Sequence, residues 1–321
     1  MKKYPLMLSY ITKTALWAGT KLKDDFGKKS DFDTVSESWE LSVRKNEMAT
    51  VENGVAKGLT LKEYFEAAGY DCVSPYFNSA DRFPLLVKLI DAEDMLSVQV
   101  HPDDNYSSRV EGDSGKTEMW YIVDAKEGAT LVYGLADGVS TEDFAAAVRE
   151  GRIGEVMNHV PVKKGQTYFI PAGMLHAIGA GILVAEIQQN SDITYRVYDF
   201  DRVGADGKLR ELHVDKALDV TRPYSEDEVN AIRFSNPERA MAGESLASCE
   251  FFGASRLTLD GKTDLAVGSD SFLSLICIEG SGVITFDGEK YPFSKGDSYF
   301  LPAGMGAFSL DGAATLITSR V

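Results

Sequence analysis

The stretch Lys164-Gly-Gln-Thr-Tyr-Phe-Ile-Pro-Ala-Gly-Met174 occurs a second time near the end of the chain, as Lys295-Gly-Asp-Ser-Tyr-Phe-Leu-Pro-Ala-Gly-Met305. The two copies align without a gap, and eight of the eleven positions are identical. In each copy, aromatic and aliphatic residues between a Lys-Gly turn and a Pro-Ala-Gly turn predict a short strand. The chain therefore contains an internal duplication.

The repeated motif, Gly-(Asp/Gln)-x-x-Phe-(Ile/Leu)-Pro-Ala-Gly, is similar to the second motif of cupins, which are small antiparallel barrels of the jelly-roll kind. This resemblance implies a mainly β fold with two cupin (jelly-roll) barrels. We expect residues 1–240 to form an N-terminal metal-bearing barrel, with a small helical insertion at about 138–160. Residues 241–321 are expected to form a C-terminal barrel without metal ligands.

Composition and charge narrow the class of protein. No apolar run approaches the ~18 residues of a membrane span, and no signal-peptide core is apparent, so we expect a soluble, cytoplasmic protein. The net charge of −16 argues against nucleic acid or membrane partners, because both require a cationic surface. The three widely spaced cysteines, Cys72, Cys249 and Cys277, suggest neither a disulfide framework nor a thiolate metal site.

Candidate metal ligands begin on the predicted strand that ends at Val100. Gln99 and His101 are two residues apart, so a strand places both side chains on one face, and Glu118 opens the next strand. His176 follows the first copy of the repeat, whereas Ala307 stands at the matching position of the second copy. Two nitrogens and two oxygens suit Zn²⁺, although ligand type does not exclude Mn²⁺, Fe²⁺ or Co²⁺.

The alternatives to metal ligation differ among these residues. A neutral amide is a weak ligand, so an ordinary structural glutamine remains an alternative for Gln99. We interpret the other two histidines, His159 and His213, as ordinary core or surface residues.

Three basic residues accompany the candidate ligands. Lys88 interrupts an apolar, strand-like run, Lys116 lies two residues before Glu118, and Arg196 lies between aromatic residues in a further predicted strand. Each alone is more readily interpreted as a salt-bridge partner. Together, in an acidic chain, they predict an anionic substrate held by Lys or Arg.

Six segments together resemble class I mannose-6-phosphate isomerases, most closely their short bacterial form. They are Phe26-Gly27, Glu37-Ser-Trp-Glu-Leu-Ser42, Leu96-Ser-Val-Gln-Val-His-Pro-Asp-Asp104, Gly115-Lys-Thr-Glu-Met-Trp-Tyr121, Ile170-Pro-Ala-Gly-Met-Leu-His-Ala-Ile-Gly179 and Ile187-Gln-Gln-Asn-Ser-Asp-Ile-Thr-Tyr-Arg-Val-Tyr-Asp199. The resemblance implies one Zn²⁺ per chain, held by Gln99, His101, Glu118 and His176. It also implies that Arg196 is an active-site residue and that Lys116 lies near the substrate.

The implied reaction is the reversible conversion of D-mannose 6-phosphate into D-fructose 6-phosphate through a metal-assisted enediol. We expect Lys116 and Arg196 to stabilise negative charge, and Ser97 and Lys88 to contact the phosphate. The general base stays open among Asp192, Glu186, Lys116 and a metal-bound hydroxide. Arg196, Lys116 and Asp192 are thus the expected catalytic residues; Ser97, Lys88 and Glu186 are the expected substrate contacts. The partner is a small sugar phosphate, and the protein is expected to be a monomer or homodimer.

Two other functions are compatible with a cupin. Two histidines and a carboxylate also describe a non-haem iron oxygenase, which would require Fe(II) and consume oxygen. A non-catalytic sugar-phosphate-binding cupin would bind its ligand without exchanging the C2 proton with solvent. The Gln99 ligand and the basic cluster favour the isomerase.

Overall fold

The fold is mainly β, as predicted. A computed structural model describes residues 1–44, 46–204 and 207–321. Within these residues the strands are β1 (Leu6–Met7), β2 (Ile11–Lys13), β3 (Glu37–Leu41), β4 (Val43–Arg44), β5 (Glu47–Met48), β6 (Leu85–Ala92), β7 (Val98–Val100), β8 (Glu118–Ala125), β9 (Thr130–Leu135), β10 (Met157–Pro161), β11 (Thr167–Ile170), β12 (His176–Ala177), β13 (Ile182–Gln189), β14 (Tyr195–Tyr198), β15 (Glu244–Ser248), β16 (Gly253–Val267), β17 (Leu273–Phe286), β18 (Glu289–Ser294), β19 (Ser298–Leu301) and β20 (Gly306–Arg320). The α-helices are α1 (Lys21–Asp24), α2 (Leu61–Ala68), α3 (Asp104–Val110), α4 (Thr141–Arg149), α5 (Val214–Val220) and α6 (Glu226–Arg233).

The helices begin where the sequence signals them. The side chains of Thr60, Ser140 and Ser225 each accept a hydrogen bond from the backbone N–H of the third helical residue. The carboxylate of that residue in turn accepts a hydrogen bond from the backbone N–H of the cap residue. These reciprocal bonds satisfy amide groups that a helix start otherwise leaves unpaired. No helix in the described ranges is both long and apolar enough to cross a membrane.

Two antiparallel sheets form the N-terminal part. One has the strand order β11-β8-β13-β6-β3-β2, and the other has the order β10-β9-β12-β7-β14. The outer face of the five-stranded sheet is apolar: Val98 and Val197 pack with Phe144 of α4 and Ala217 of α5. This packing turns the alternate residues of β7 and β14 toward the six-stranded sheet.

The helical insertion is confirmed between β9 and β10. Its helix α4 is followed by a short 3-10 turn at Ile153–Glu155, and β10 then starts at Met157, inside the range predicted as insertion. Because Phe144 of α4 packs against the five-stranded sheet, the insertion supports that sheet.

A third, seven-stranded sheet dominates the C-terminal part. Its order is β1-β19-β17-β20-β16-β15, with β18 on the edge of β17. Leu6 of β1 pairs with Phe300 of β19, so the N-terminal strand joins this sheet rather than the first two. In the described ranges no sheet closes on itself, so the prediction of two barrels is not confirmed; the division at residue 240 stays a prediction.

Strand pairing shows how the duplicated stretches correspond. Ile170 of the first copy pairs with Glu118, and its counterpart Leu301 pairs with Leu273. Leu273 is therefore the counterpart of Glu118. His176 pairs with Gln99, and Ala307, which matches His176 in the repeat, pairs with Ala266. Ala266 is therefore the counterpart of Gln99.

A buried ion pair joins the N-terminal segment to the C-terminal sheet. Lys28 Nζ lies 2.6 Å from Glu40 Oε1, and both side chains are 1% exposed. Ser38 and Ser298 donate hydrogen bonds of 2.6 Å to the two oxygens of Glu40, and Lys28 donates one to the carbonyl of Gly296. Every strong polar atom of the pair is thus satisfied, as burial of charge requires.

Removing one partner of this pair should be strongly destabilising. We expect Glu40→Ala to lower the free energy of unfolding by about 3–5 kcal/mol, because it leaves a buried lysine charge uncompensated. The matched control is Asp81→Ala. The Asp81 carboxylate lies 3.3 Å from Lys62 Nζ, and the Asp81 side chain is 80% exposed. That change should cost only about 0–1 kcal/mol. Equal losses in denaturant unfolding of the two variants would contradict this account.

Candidate metal centre and active site

Three ligand-type side chains meet between the two N-terminal sheets. His101 directly follows β7 and His176 begins β12 in the five-stranded sheet, while Glu118 begins β8 in the six-stranded sheet. The ligand atoms of the three residues all lie within 4.8 Å of one another, and all three residues are buried. The sheets must therefore face each other across this point.

Hydrogen bonds fix the orientation of both imidazole rings. His101 Nδ1 lies 2.7 Å from the carbonyl of Ile193, and His176 Nδ1 lies 2.8 Å from the carbonyl of Met174. A carbonyl oxygen only accepts, so each Nδ1 carries the proton and each Nε2 presents a lone pair. Burial lowers the pKa of His101 well below its usual value and that of His176 to about 4. Both rings are therefore neutral at neutral pH.

The arrangement fits a cation. The two Nε2 atoms face each other at 3.1 Å, although neither carries a proton to donate. Glu118 Oε2 lies 3.6 Å from His101 Nε2, and Glu118 Oε1 lies 3.4 Å from His176 Nε2. Oε1 of this buried carboxylate has no hydrogen-bond partner in the described part of the chain, while Oε2 has the ammonium of Lys116 2.9 Å away. A metal ion between these atoms would remove the cost of leaving them unpaired.

Strand register brings two further predicted residues beside the cluster. Gln99 pairs with His176 on one side and with Arg196 on the other. Directly opposed residues of neighbouring strands have side chains on the same face, so Gln99 and Arg196 share the face of His176. Nε of Arg196 is buried and has no hydrogen-bond partner among the described residues, while Nη1 donates to the carbonyl of Glu211.

Lys116 lies directly beside the cluster. Its Nζ is 2.9 Å from Glu118 Oε2, and the side chain is 6% exposed. The lysine therefore partly neutralises the carboxylate that faces the two histidines.

A row of side chains crosses the floor of the six-stranded sheet in strict register. It runs from Trp39 on β3 through Lys88 on β6 and Glu186 on β13 to Trp120 on β8. Lys88 Nζ lies 3.5 Å from Glu186, and Trp120 Nε1 donates a 2.8 Å hydrogen bond to Glu186 Oε2. Oε1 of Glu186 accepts no hydrogen bond in the described chain, but it is the oxygen that faces Lys88 Nζ. Trp120 thus holds one oxygen, and the lysine charge lies beside the other.

The structure adds three residues that the sequence did not single out. Glu37 lies 3.4 Å from Lys88 and accepts a 2.7 Å hydrogen bond from Trp39, whose ring lies 5.0 Å from Lys88 Nζ. Trp120 contacts both Glu186 and the His176 ring. The sequence indicates only that Glu37 and Trp39, two residues apart, share one face of a strand. It does not indicate which strand lies beside them, so their contacts with Lys88 could not be predicted.

The remaining predicted residues are less closely engaged. Ser97 is buried and directly precedes β7, two residues before Gln99. Asp192 is exposed in the segment between β13 and β14, and its charge acts on Lys88. His159 is exposed on β10, and His213 precedes α5. The three cysteines are buried and unpaired.

Facing antiparallel sheets around a buried pair of histidines and a carboxylate define a metal-binding enzyme of the cupin type. Residues 6–129 match the family model of the type I phosphomannose isomerase catalytic domain, and residues 243–321 match the mannose-6-phosphate isomerase cupin domain. The chain belongs to the mannose-6-phosphate isomerase family.

Similarity to relatives extends over the whole chain. It is 39% identical to the Bacillus subtilis mannose-6-phosphate isomerase ManA and 37% identical to the putative mannose-6-phosphate isomerase YvyI of the same organism, over 100% of each chain. A crystal structure of a mannose 6-phosphate isomerase from Bacillus subtilis superposes with a TM-score of 0.89 at 37% identity, and the match covers 99% of both chains. The family resemblance found in the sequence is thus confirmed.

The histidine–glutamate cluster predicts the metal content of the protein. We expect His176→Ala to reduce the divalent metal that remains after gel filtration from about one ion per chain to nearly none, because it removes one of few ligands. His159→Ala, which alters an exposed histidine, should leave the metal content unchanged. Elemental analysis of both purified variants provides the measurement; retention of metal by His176→Ala would place the ion elsewhere.

Proposed function

We propose that the protein interconverts D-mannose 6-phosphate and D-fructose 6-phosphate, as a zinc-dependent isomerase. The observation that carries this proposal is the buried Glu118 carboxylate, which lies between two neutral imidazoles and whose one ion-pair contact in the described chain besides them is Lys116. Family membership supports the choice of substrate.

The proposed ion is one Zn²⁺ per chain, held by Gln99, His101, Glu118 and His176. The donor set of two imidazole nitrogens and two oxygens supports zinc. When bound, such an ion supplies a Lewis acid that polarises the carbonyl and hydroxyl oxygens of a sugar. The Nδ1 hydrogen bonds of both histidines support this role, because they orient the rings toward the ion.

The balance of charge supports a phosphorylated substrate. The site contains three carboxylates and three basic groups, namely Glu37, Glu118, Glu186, Lys88, Lys116 and Arg196. These six charges cancel, and Asp192, exposed but close enough to act on Lys88, adds one negative charge. A bound divalent cation would therefore leave a net charge of about one to two positive units. A phosphate dianion would neutralise that charge, and charge neutrality matters most in a buried site.

Proton transfer requires a group that removes the proton from C2 and returns it to C1, while the oxygens of the enediol exchange a proton. Among the candidates, the position of Glu186 supports a role in this transfer: Trp120 donates to Oε2, and Oε1 accepts no hydrogen bond in the described chain, although Lys88 Nζ lies 3.5 Å from it. Asp192 remains a candidate for a proton relay at the exposed side. Lys116 and Arg196 are proposed to stabilise the developing negative charge.

The phosphate is proposed to lie near Ser97, Lys88 and Arg196. Their shared orientation toward the space between the sheets supports this placement. Lys88 already forms ion pairs with Glu37 and Glu186. The contribution of Lys88 to phosphate binding therefore depends on how well the phosphate competes with these two carboxylates.

Further features of the organisation are also proposals. We place an N-terminal cupin unit at residues 1–240 and a C-terminal one at 241–321, each derived from a jelly-roll barrel; the equivalent register of the two repeats supports this duplication. We further propose a cytoplasmic protein that acts as a monomer or homodimer on a small sugar phosphate.

The proposal is tested by following the C2 proton of mannose 6-phosphate. In deuterated buffer under nitrogen, the zinc-loaded protein should exchange this proton and form fructose 6-phosphate, and NMR detects both. Glucose 6-phosphate serves as the control substrate, and His176→Ala as the control protein. A requirement for oxygen and Fe(II) would instead indicate an oxygenase, and binding without exchange would indicate a sensor.

Lys88 allows a separate prediction about the phosphate. We expect Lys88→Gln to raise KM for mannose 6-phosphate by about 10–100-fold and to change kcat much less, because a charged contact to the phosphate is lost. Lys57→Gln, at an exposed lysine, should change neither. Steady-state kinetics provide the measurement; a loss confined to kcat would contradict phosphate binding by Lys88.

A further inference from the structure

The C-terminal sheet contains a cleft of about 240 Å³ at the position that corresponds to the metal centre. Pairing makes Ala266 the counterpart of Gln99 and Leu273 the counterpart of Glu118. Gly268, two residues after Ala266, corresponds to His101. All three replacements line the cleft, so the second copy has lost the ligands and kept an open space.

The floor of the cleft also corresponds to that of the active site. Leu275, the counterpart of Trp120, pairs with Thr318, just as Trp120 pairs with Glu186. Thr318 in turn pairs with Ser255, which therefore stands in the place of Lys88. The buried carboxylate and lysine of the first copy are thus replaced by hydroxyl groups.

One charged residue appears where the first copy has none. Arg320, two residues after Thr318, occupies the place of Gln188 and lines the cleft. Its Nε is buried and has no hydrogen-bond partner in the described ranges. Its Nη2 bonds to Asp270, whose side chain is 65% exposed. The Arg320 side chain itself is only 19% exposed. Water thus screens the Asp270 end of the pair, so that a carboxylate ligand can compete with Asp270.

A second arginine adds to the positive potential. Arg239 has a buried Nη1 that lacks a partner among the described residues. Burial and the charge of Arg239 lower the pKa of Arg320. Asp270 acts on Arg320 and Glu250 on Arg239, but each guanidinium keeps a buried nitrogen without a partner in the described ranges. This favours a further anion at Arg320, the arginine that lines the cleft.

Part of the wall of the cleft is apolar. Leu257, Leu265 and Phe272 line it together with Met241. They would contact the hydrocarbon part of a ligand, while Arg320 at one end would bind its charged group.

We propose that the C-terminal cleft binds a small organic monocarboxylate, whose carboxylate pairs with Arg320 in place of Asp270 and whose apolar body lies against Leu265 and Phe272. The cleft volume of about 240 Å³ suits a small ligand rather than a large one. This site is separate from the isomerase centre and does not depend on the function proposed for it.

The experiment uses benzoate as the probe and neutral, nearly isosteric benzamide as its control. Binding to the full-length, metal-loaded protein is measured by saturation-transfer NMR and calorimetry in the presence of excess mannose 6-phosphate, which keeps benzoate from the sugar-phosphate site. We expect benzoate to bind, and benzamide to bind at least about tenfold more weakly, because Arg320 selects the charge.

Two variants locate the site, and a third controls for surface charge. Arg320→Gln should weaken benzoate binding by about tenfold or more, and Ala266→Phe, at an exposed position of the cleft, should block it by filling the space. Arg149→Gln changes an exposed arginine of α4 and should have no effect. All three variants should retain isomerisation of mannose 6-phosphate. Equal binding of benzoate and benzamide, unchanged binding in Arg320→Gln and Ala266→Phe, or displacement of benzoate by mannose 6-phosphate would each overturn the proposal.

Discussion

The site depends on two hydrogen bonds from imidazole Nδ1 to backbone carbonyls. They hold His101 against Ile193 and His176 against Met174, and so turn both Nε2 lone pairs toward Glu118. Without a cation, this geometry places two acceptors and a buried carboxylate together at a considerable cost in free energy. The stability of the surrounding fold must offset that cost. His176 and Glu118 lie within the two sheets, His101 directly follows β7, and all three lie away from the chain ends, so the sheets hold them in place.

The arrangement of the sheets explains why the chemistry is concentrated at this point. Helices α4 and α5 cover the outer face of the five-stranded sheet, so its polar alternate residues point inward. The six-stranded sheet contributes the row from Trp39 through Lys88 and Glu186 to Trp120. Each residue of that row is held by a neighbour on the next strand, which limits the rotamers available and favours a preorganised site.

Much of this organisation could be predicted from the sequence. The repeat at Lys164 and Lys295 predicted the duplication, and the spacing of Gln99 and His101 predicted a shared face, because both signals depend only on local periodicity. The alanine at position 307, where the first copy has His176, predicts that the second copy lacks the metal ligands. The roles of Glu37 and Trp120 could not be predicted, because their partners are fixed by cross-strand register, which a single sequence does not specify. No sheet closes into a barrel in the described ranges, and the sequence could not predict this for a related reason. Closure depends on how the edges of a sheet meet, and motifs inside strands carry no information about those edges.

The comparison of the two copies also shows how a duplicated site can diverge. Three ligands of the first copy correspond to Ala266, Gly268 and Leu273, and the paired charges on its floor correspond to Ser255 and Thr318. Removal of all charges together avoids the penalty of leaving one of them buried and unpaired. Arg320 is the exception, and it gives the C-terminal cleft a chemical character of its own.

The central claim is that one of the two copies holds a catalytic metal ion. Anomalous diffraction from a crystal of the zinc-loaded protein, recorded on both sides of the zinc absorption edge, tests it most directly. The account predicts one strong peak per chain, about 2.0–2.2 Å from Nε2 of His101 and His176 and from an oxygen of Glu118, and no peak in the C-terminal cleft. A fully loaded crystal without a peak between these residues, or with its peak at another position, would contradict it.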